Sequence, residues 1–198
     1  MKKSIQILSL LFMLTIVCAF SSSMNTIACI QLNGFRLSSG LNGITYHMDP
    51  HNLTSTHHNR IENSAKEWNK QSNKINMTPI TTLTTSRIEF WKAANPYGFT
   101  IAYTTYVINS QEVVTPNQNY AYARVRICVD EFDKCTNFQQ LGATAHEFGH
   151  AFGLTECAHN VNPHHIMHQN NSQRNVSVPQ SNDVVAVNNL YPWFILTN

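Results

Sequence analysis

The chain has 198 residues, of which 42% are hydrophobic, with 13 Lys and Arg against 11 Asp and Glu. Setting aside Lys2 and Lys3 leaves 11 basic against 11 acidic residues, so neither a charge excess nor a basic stripe favours a nucleic-acid partner. After the first residues no second apolar run is long enough to span a membrane as a helix, so nothing in the rest of the chain supports membrane residence.

The first residues read as an export signal. Lys2 and Lys3 precede an almost unbroken apolar run from Ile5 to Phe20, and the small polar Ser21, Ser22 and Ser23 follow. Residues 1–28 are therefore expected to form a signal peptide, cut between about 21 and 28, and residues 29–198 a single secreted, extracellular domain. Cys29, Cys128, Cys135 and Cys157 remain after export. The close spacing of Cys128 and Cys135 suggests a local disulfide, which would pair Cys29 with Cys157; free thiols or thiolate ligation are the alternatives.

Gly40, Asn42 and Gly43 break the chain before a strand at Ile44 to His47, and the Asp49-Pro50 turn follows. From His58 to Gln71, Ile61, Ala65 and Trp68 recur at helical spacing, so this segment is an amphipathic helix with Trp68 as a core anchor. Ile75 to Ile80 and Arg87 to Trp91 read as strands, and Gly98 to Val107, rich in Thr, Tyr, Ile and Val, as a clearer one. Asn109 to Tyr120 reads as a polar surface connection. Ala123 to Val129 alternates strictly, with its apolar residues on one face and Arg124 and Arg126 on the other. A second long helix is expected from Phe138 to Gly153, with Leu141, Ala145, Phe148 and Phe152 as its apolar stripe. Pro179 precedes a last helix from Ser181 to Leu190, where Asp183 suits the first turn.

The second long helix carries His146-Glu147-Phe148-Gly149-His150, an H-E-x-x-H segment. Residues four apart stand one above the other on a helical face, so both imidazoles can reach one ion. Zinc takes nitrogen, sulfur or carboxylate ligands and, in catalytic sites, keeps one position for water. Glu147, beside the first ligand, can accept a proton from that water.

This segment resembles the metzincin clan of metallopeptidases, especially the matrixin-like bacterial secreted proteases, whose longer signature is H-E-x-x-H-x-x-G-x-x-H with a later Met-turn. Gly153 matches the glycine of that pattern, but the third ligand position holds Glu156, and the next histidine is His159. If three residues are inserted after Leu154, His159 becomes the third ligand. The stretch from Asn160 to Met167 then resembles the family's run into the Met-turn. Glu156 is the alternative third ligand. Met167 would form the floor under the metal, and His164 and His165 would be loop residues near it. The segment from Arg174 through Pro179-Gln180 into the last helix is also similar to the family's end.

The resemblance implies an α+β catalytic domain: a twisted, mixed, mostly parallel sheet with two long helices, an active-site helix, a Met-turn and a C-terminal helix. It further implies zinc as cofactor, a protein or peptide substrate lying along the strand near Gly98 to Val107, and Glu147 as general base. A monomer is expected. Calcium serves a structural role in many relatives, but Asp130, Glu131 and Asp133 match no defined calcium spacing. The reading from another class is a secreted zinc-binding surface-interaction protein without turnover, which the retained Glu147 disfavours.

Overall fold

The computed structural model describes residues 32–95, 98–157 and 163–192. The segment expected to be a signal peptide, Cys29 and His159 lie outside the described residues. The elements run β1 (Ile44–Met48), α1 (Ser55–Gln71), β2 (Met77–Ile80), a 3-10 turn (Leu83–Thr85), β3 (Ile88–Ala93), β4 (Ala102–Ile108), β5 (Gln111–Val113), β6 (Tyr122–Cys128), α2 (Val129–Phe132), α3 (Asn137–Phe152) and α4 (Ser181–Leu190). The strands form one sheet in the order β2-β1-β3-β6-β4-β5. β1 pairs in parallel with β2 and β3, and β3 with β6, while β4 is antiparallel to both β6 and β5. The sheet is thus mixed and mostly parallel, flanked by helices. No helix among the described residues is long and apolar enough to cross a membrane.

Each long helix is started by a reciprocal cap. Thr54 accepts from the N–H of His57, and the His57 ring accepts the N–H of Thr54, so α1 begins three residues earlier than its apolar spacing alone indicates. Thr136 and Gln139 do the same for α3. At the far end of α3, Gly153 adopts φ 103°, a left-handed conformation that terminates the helix and sends the chain back across it.

The polar connection from Asn109 to Tyr120 contains a short strand that alternation does not reveal. Asn109 and Ser110 have φ of 50° and 65°, the positive pair that a two-residue hairpin turn needs, and they fold β5 back on β4. β5 is only three residues long and pairs only with Tyr106 to Ile108, so it leaves the first half of β4 uncovered on that side.

The expected clasp between Cys128 and Cys135 does not form. Both thiols are free: Cys128 is buried and donates weakly to the Ala94 carbonyl, and Cys135 to that of Glu131. The one-turn helix α2 closes the connection between them, so the turn needs no covalent closure. Its acidic end is tied instead by Asp133, which contacts the His57 ring at 2.7 Å. Cys157 is disulfide-bonded, with its partner outside the described residues.

The core lies between one face of the sheet and the two long helices. Phe148 of α3 packs edge-on against Phe90 of β3 and Tyr46 of β1, and Phe152 against Trp68 of α1. Trp68 is fully buried, and its indole N–H donates to the Ala145 carbonyl at 3.0 Å. Ser64 and Thr144 meet at 2.5 Å, where the helices cross. The opposite face of the sheet carries charge. Arg124 bonds Glu89 at 2.8 Å and Glu112 at 2.9 Å, and Arg126 reaches Glu112 at 3.0 Å.

Two outcomes follow from this packing. Trp68→Ala should cost about 3–5 kcal/mol and lower the thermal midpoint by roughly 10 °C in a calorimetric scan, with Trp68→Phe costing less. Partial burial pushes the Glu112 carboxyl up, but the Thr105 hydroxyl, Arg124 and Arg126 together hold it lower, at about 2 against an ordinary 4.5. Its contribution is therefore complete above about 4.5 and lost as the pH falls towards 2. Thermal scans between pH 6 and pH 2 should show Glu112→Gln losing less stability than the unaltered protein.

Candidate metal centre

At 3.6 residues per turn, positions 146 and 150 share a face of α3, and positions 148 and 152 fall on nearly the opposite one. The helix can therefore bury Phe148 and Phe152 in the core while presenting His146 and His150 away from it. Glu147, between the two directions, points towards β4.

The second nitrogen of each imidazole fixes the first. His146 Nδ1 lies 2.9 Å from the Ile166 carbonyl and His150 Nδ1 2.9 Å from the Leu154 carbonyl. A carbonyl only accepts, so each Nδ1 carries the proton and each neutral ring presents a lone pair at Nε2. Those two Nε2 atoms face each other at 3.0 Å. Lone pairs at that separation repel unless a cation stands between them, and two nitrogens on one tetrahedral zinc would lie about 3.3 Å apart. Burial, then the proximity of His150 and of the Arg174 cation, pushes His146 well below the usual imidazole range, and burial also lowers His150. Both shifts favour the neutral form that binds metals.

Glu156 completes a group of three: ligand atoms of His146, His150 and Glu156 all lie within 4.8 Å of one another, and Glu156 Oε1 is 3.9 Å from His150 Nε2. The cluster can hold a metal ion, and its two nitrogens and one carboxylate form a donor set that suits a transition metal. Glu156 stands here because Gly153 turns the chain and Cys157 is then pinned by backbone bonds to Met167 and Gln169. His159, the ligand that the resemblance favours, lies outside the described residues, so Glu156 is the third donor among those described.

Glu147 is 4% exposed. Burial pushes its carboxyl up to about 7, with the Glu156 charge adding to the rise and a hydrogen bond from Thr104 opposing it. That bond runs from the Thr104 hydroxyl to Oε2 at 2.7 Å and fixes the plane of the carboxylate. Nothing in the sequence distinguishes Thr104 from the neighbouring threonines. Strand parity does: Tyr103 and Thr105 pair opposite Arg126 and Arg124, which puts Thr104 on the face towards α3.

Met167 is fully buried, and its sulfur lies directly against Gly149, where a Cβ would collide with it. The loop that carries it hangs on Asp183, a buried carboxylate at the start of α4 that accepts the N–H groups of Gln180 and Ile166. Arg174, also buried, donates to the Ile166 carbonyl at 2.9 Å, the same oxygen that accepts His146 Nδ1. Of the two loop histidines, His165 sits 3.9 Å from Asp183, and His164 meets Asn175 at the surface. His168 is buried with its ring against the Asn170 carbonyl.

Two cavities open beside the cluster. One, of about 540 Å³, is bounded by Ala102, His146, Glu147 and the segment from Gln169 to Arg174; the other, of about 430 Å³, by Thr104, Tyr106, Val114, Glu147 and His150. Glu147 and Glu156 border both. Compared with known proteins, the chain matches no family model, and no curated protein matches it significantly.

Gly149→Ala should force Met167 out of its place, an overpacking cost of about 1–3 kcal/mol, and weaken metal binding. Titration of the metal-stripped protein with zinc, alongside thermal scans, checks both effects. Adding Met167→Ala should restore part of the stability lost to Gly149→Ala, because it removes the atom struck.

Proposed function

We propose that this chain is a secreted zinc metalloendopeptidase that hydrolyses peptide bonds with Glu147 as general base. One observation carries the reading: two imidazoles with converging lone pairs, His146 buried and His150 half-buried, stand next to a buried carboxylate that borders two cavities. A purely structural metal site needs no such carboxylate. Two imidazoles and a third donor leave room for water on a tetrahedral ion, the arrangement of catalytic zinc. Export is supported by the apolar leader and by the disulfide at Cys157, which suits an oxidising compartment.

Bound between His146, His150 and a third donor, zinc would supply the Lewis acidity that makes water nucleophilic near neutral pH and polarises a carbonyl. His146 and His150 hold their lone pairs in place through the Ile166 and Leu154 carbonyls. Thr104 occupies Glu147 Oε2, which leaves Oε1 to take the proton of the attacking water and pass it to the departing amine. Burial keeps that carboxyl near the pH at which it can do both. The stretch of β4 that β5 leaves uncovered runs past Glu147, where an extended peptide could add as a further strand. Met167 beneath Gly149 fits the floor of a Met-turn, and His159 and Glu156 are the two candidates for the third ligand.

Zinc content and cleavage of an unfolded protein substrate test the proposal. Glu147→Gln should retain zinc and lose about 10²–10⁴-fold in rate. His146→Ala and His150→Ala should lose both. Whichever of His159→Ala and Glu156→Ala loses zinc identifies the third ligand. Full zinc occupancy with no cleavage of any of a wide range of proteins would replace this reading with that of a zinc-dependent binding protein.

A further inference from the structure

We propose that Arg174 makes the larger cavity beside Glu147 an acid-binding subsite, selecting peptides with an Asp or Glu side chain within one residue of the cleaved bond. The cleavage half of this statement rests on the peptidase reading, and the binding half does not.

Arg174 is 5% exposed yet lines that cavity. Its hydrogen bonds go to the carbonyls of Ile166 and His168 and to the side-chain oxygen of Asn171. All three acceptors are neutral, and they use only part of the donor fork of a guanidinium. Among the described residues no carboxylate comes within ion-pair distance of it; Glu147 and Asp183 act on it only from further away. Arg124, by contrast, is more exposed and is paired with two carboxylates. Burial lowers the Arg174 pKa to about 10, which leaves it cationic at neutral pH.

A buried cation without a counter-ion is costly, and an entering carboxylate would relieve that cost. The fork geometry of arginine suits a carboxylate better than any neutral group. The rest of this wall agrees in chemistry. Gln169, Asn170, Asn171 and Ser172 offer amides and a hydroxyl beside the guanidinium, while Phe99, Ile101 and Ala143 also line the cavity and can pack on the aliphatic part of a glutamate side chain. The cavity on the other side of Glu147, with Tyr106, Val114 and Pro116 in its lining, has no arginine or lysine there to receive a carboxylate. At about 540 Å³ the Arg174 cavity has the size of a small-ligand pocket and can admit a glutamate side chain. Glu147 and Glu156 border it as well, but they lie in or beside the cluster that would hold the metal dication, which offsets their charge.

The three bonds of Arg174 also brace the 166–171 loop, so loss of activity in an Arg174 variant would by itself say nothing about selectivity. The test therefore starts with the unaltered zinc-loaded protein. Peptide pairs that differ only as Glu or Gln, at each position flanking the cleaved bond, are compared for kcat/KM. The same pairs are titrated calorimetrically into Glu147→Gln. We expect the Glu peptide to be preferred by at least about tenfold in both measurements at one flanking position. The preference should shrink with added salt and vanish once the peptide carboxyl is protonated, near pH 4. In Arg174→Gln the Glu-to-Gln ratio should collapse towards one, and Arg174→Lys should retain part of it.

Equal treatment of Glu and Gln peptides by the unaltered protein in both measurements overturns the proposal, however the Arg174 variants fold. Selective binding of Glu peptides without cleavage of any peptide would support the acid subsite and remove the peptidase reading. Cleavage without either preference would do the reverse.

Discussion

Two nitrogen lone pairs held 3.0 Å apart inside a protein are the constraint on which the rest of this structure depends. The arrangement is unfavourable alone, and the surroundings offer neither ring an easy escape. Each imidazole spends its only proton on a backbone carbonyl, so turning one ring to relieve the repulsion would break a buried hydrogen bond. Those carbonyls belong to Leu154 and Ile166, one just past the end of α3 and the other in a distant loop. Much of the architecture around the site serves to keep these two oxygens where they are.

The near carbonyl depends on backbone conformation. Gly153 takes up a left-handed turn that few other residues adopt, and a Cβ there would collide with the Phe35 carbonyl. The far carbonyl depends on charge. Asp183 takes the N–H of Ile166 while Arg174 shares its C=O, so this one residue is held on both sides by buried ionisable side chains. Burial raises the Asp183 carboxyl, and the backbone N–H groups of Gln180 and Ile166 pull it back.

Much of this was legible in the sequence, for reasons that differ from residue to residue. His146, Glu147 and His150 declare themselves because a helix fixes their relative direction from spacing alone. Trp68, Phe148 and Phe152 do so because their apolar stripe has the helical period. The alternation of Ala123 to Val129 set the faces of β6 correctly, and the last helix was readable from Pro179 and Asp183. What the sequence hid depends on contacts between distant segments. Thr104 meets Glu147 across 43 positions, and Asp183 meets Ile166 across 17. Strand β5 was missed because it is short and polar, and its turn uses Asn109-Ser110 in place of a glycine pair. The disulfide assigned to Cys128 and Cys135 rested on short spacing, but a turn of helix closes that segment without a covalent bond.

The distribution of arginines separates what holds the fold from what faces the cleft. On the far side of the sheet Arg124 and Arg126 lie against Glu89 and Glu112, in a network whose charges cancel where they stand. Such a network can brace strands β3, β6 and β5 without attracting anything from solution. Arg174 is more deeply buried than either, and its partners are neutral oxygens. Its field is thus left to act on Glu147, on His146 and on whatever enters the adjoining cavity. A cation there steadies the ionised form of Glu147 and favours a neutral His146. One buried side chain thereby couples the position of the Ile166 carbonyl to the electrostatics of the groups that would do the chemistry.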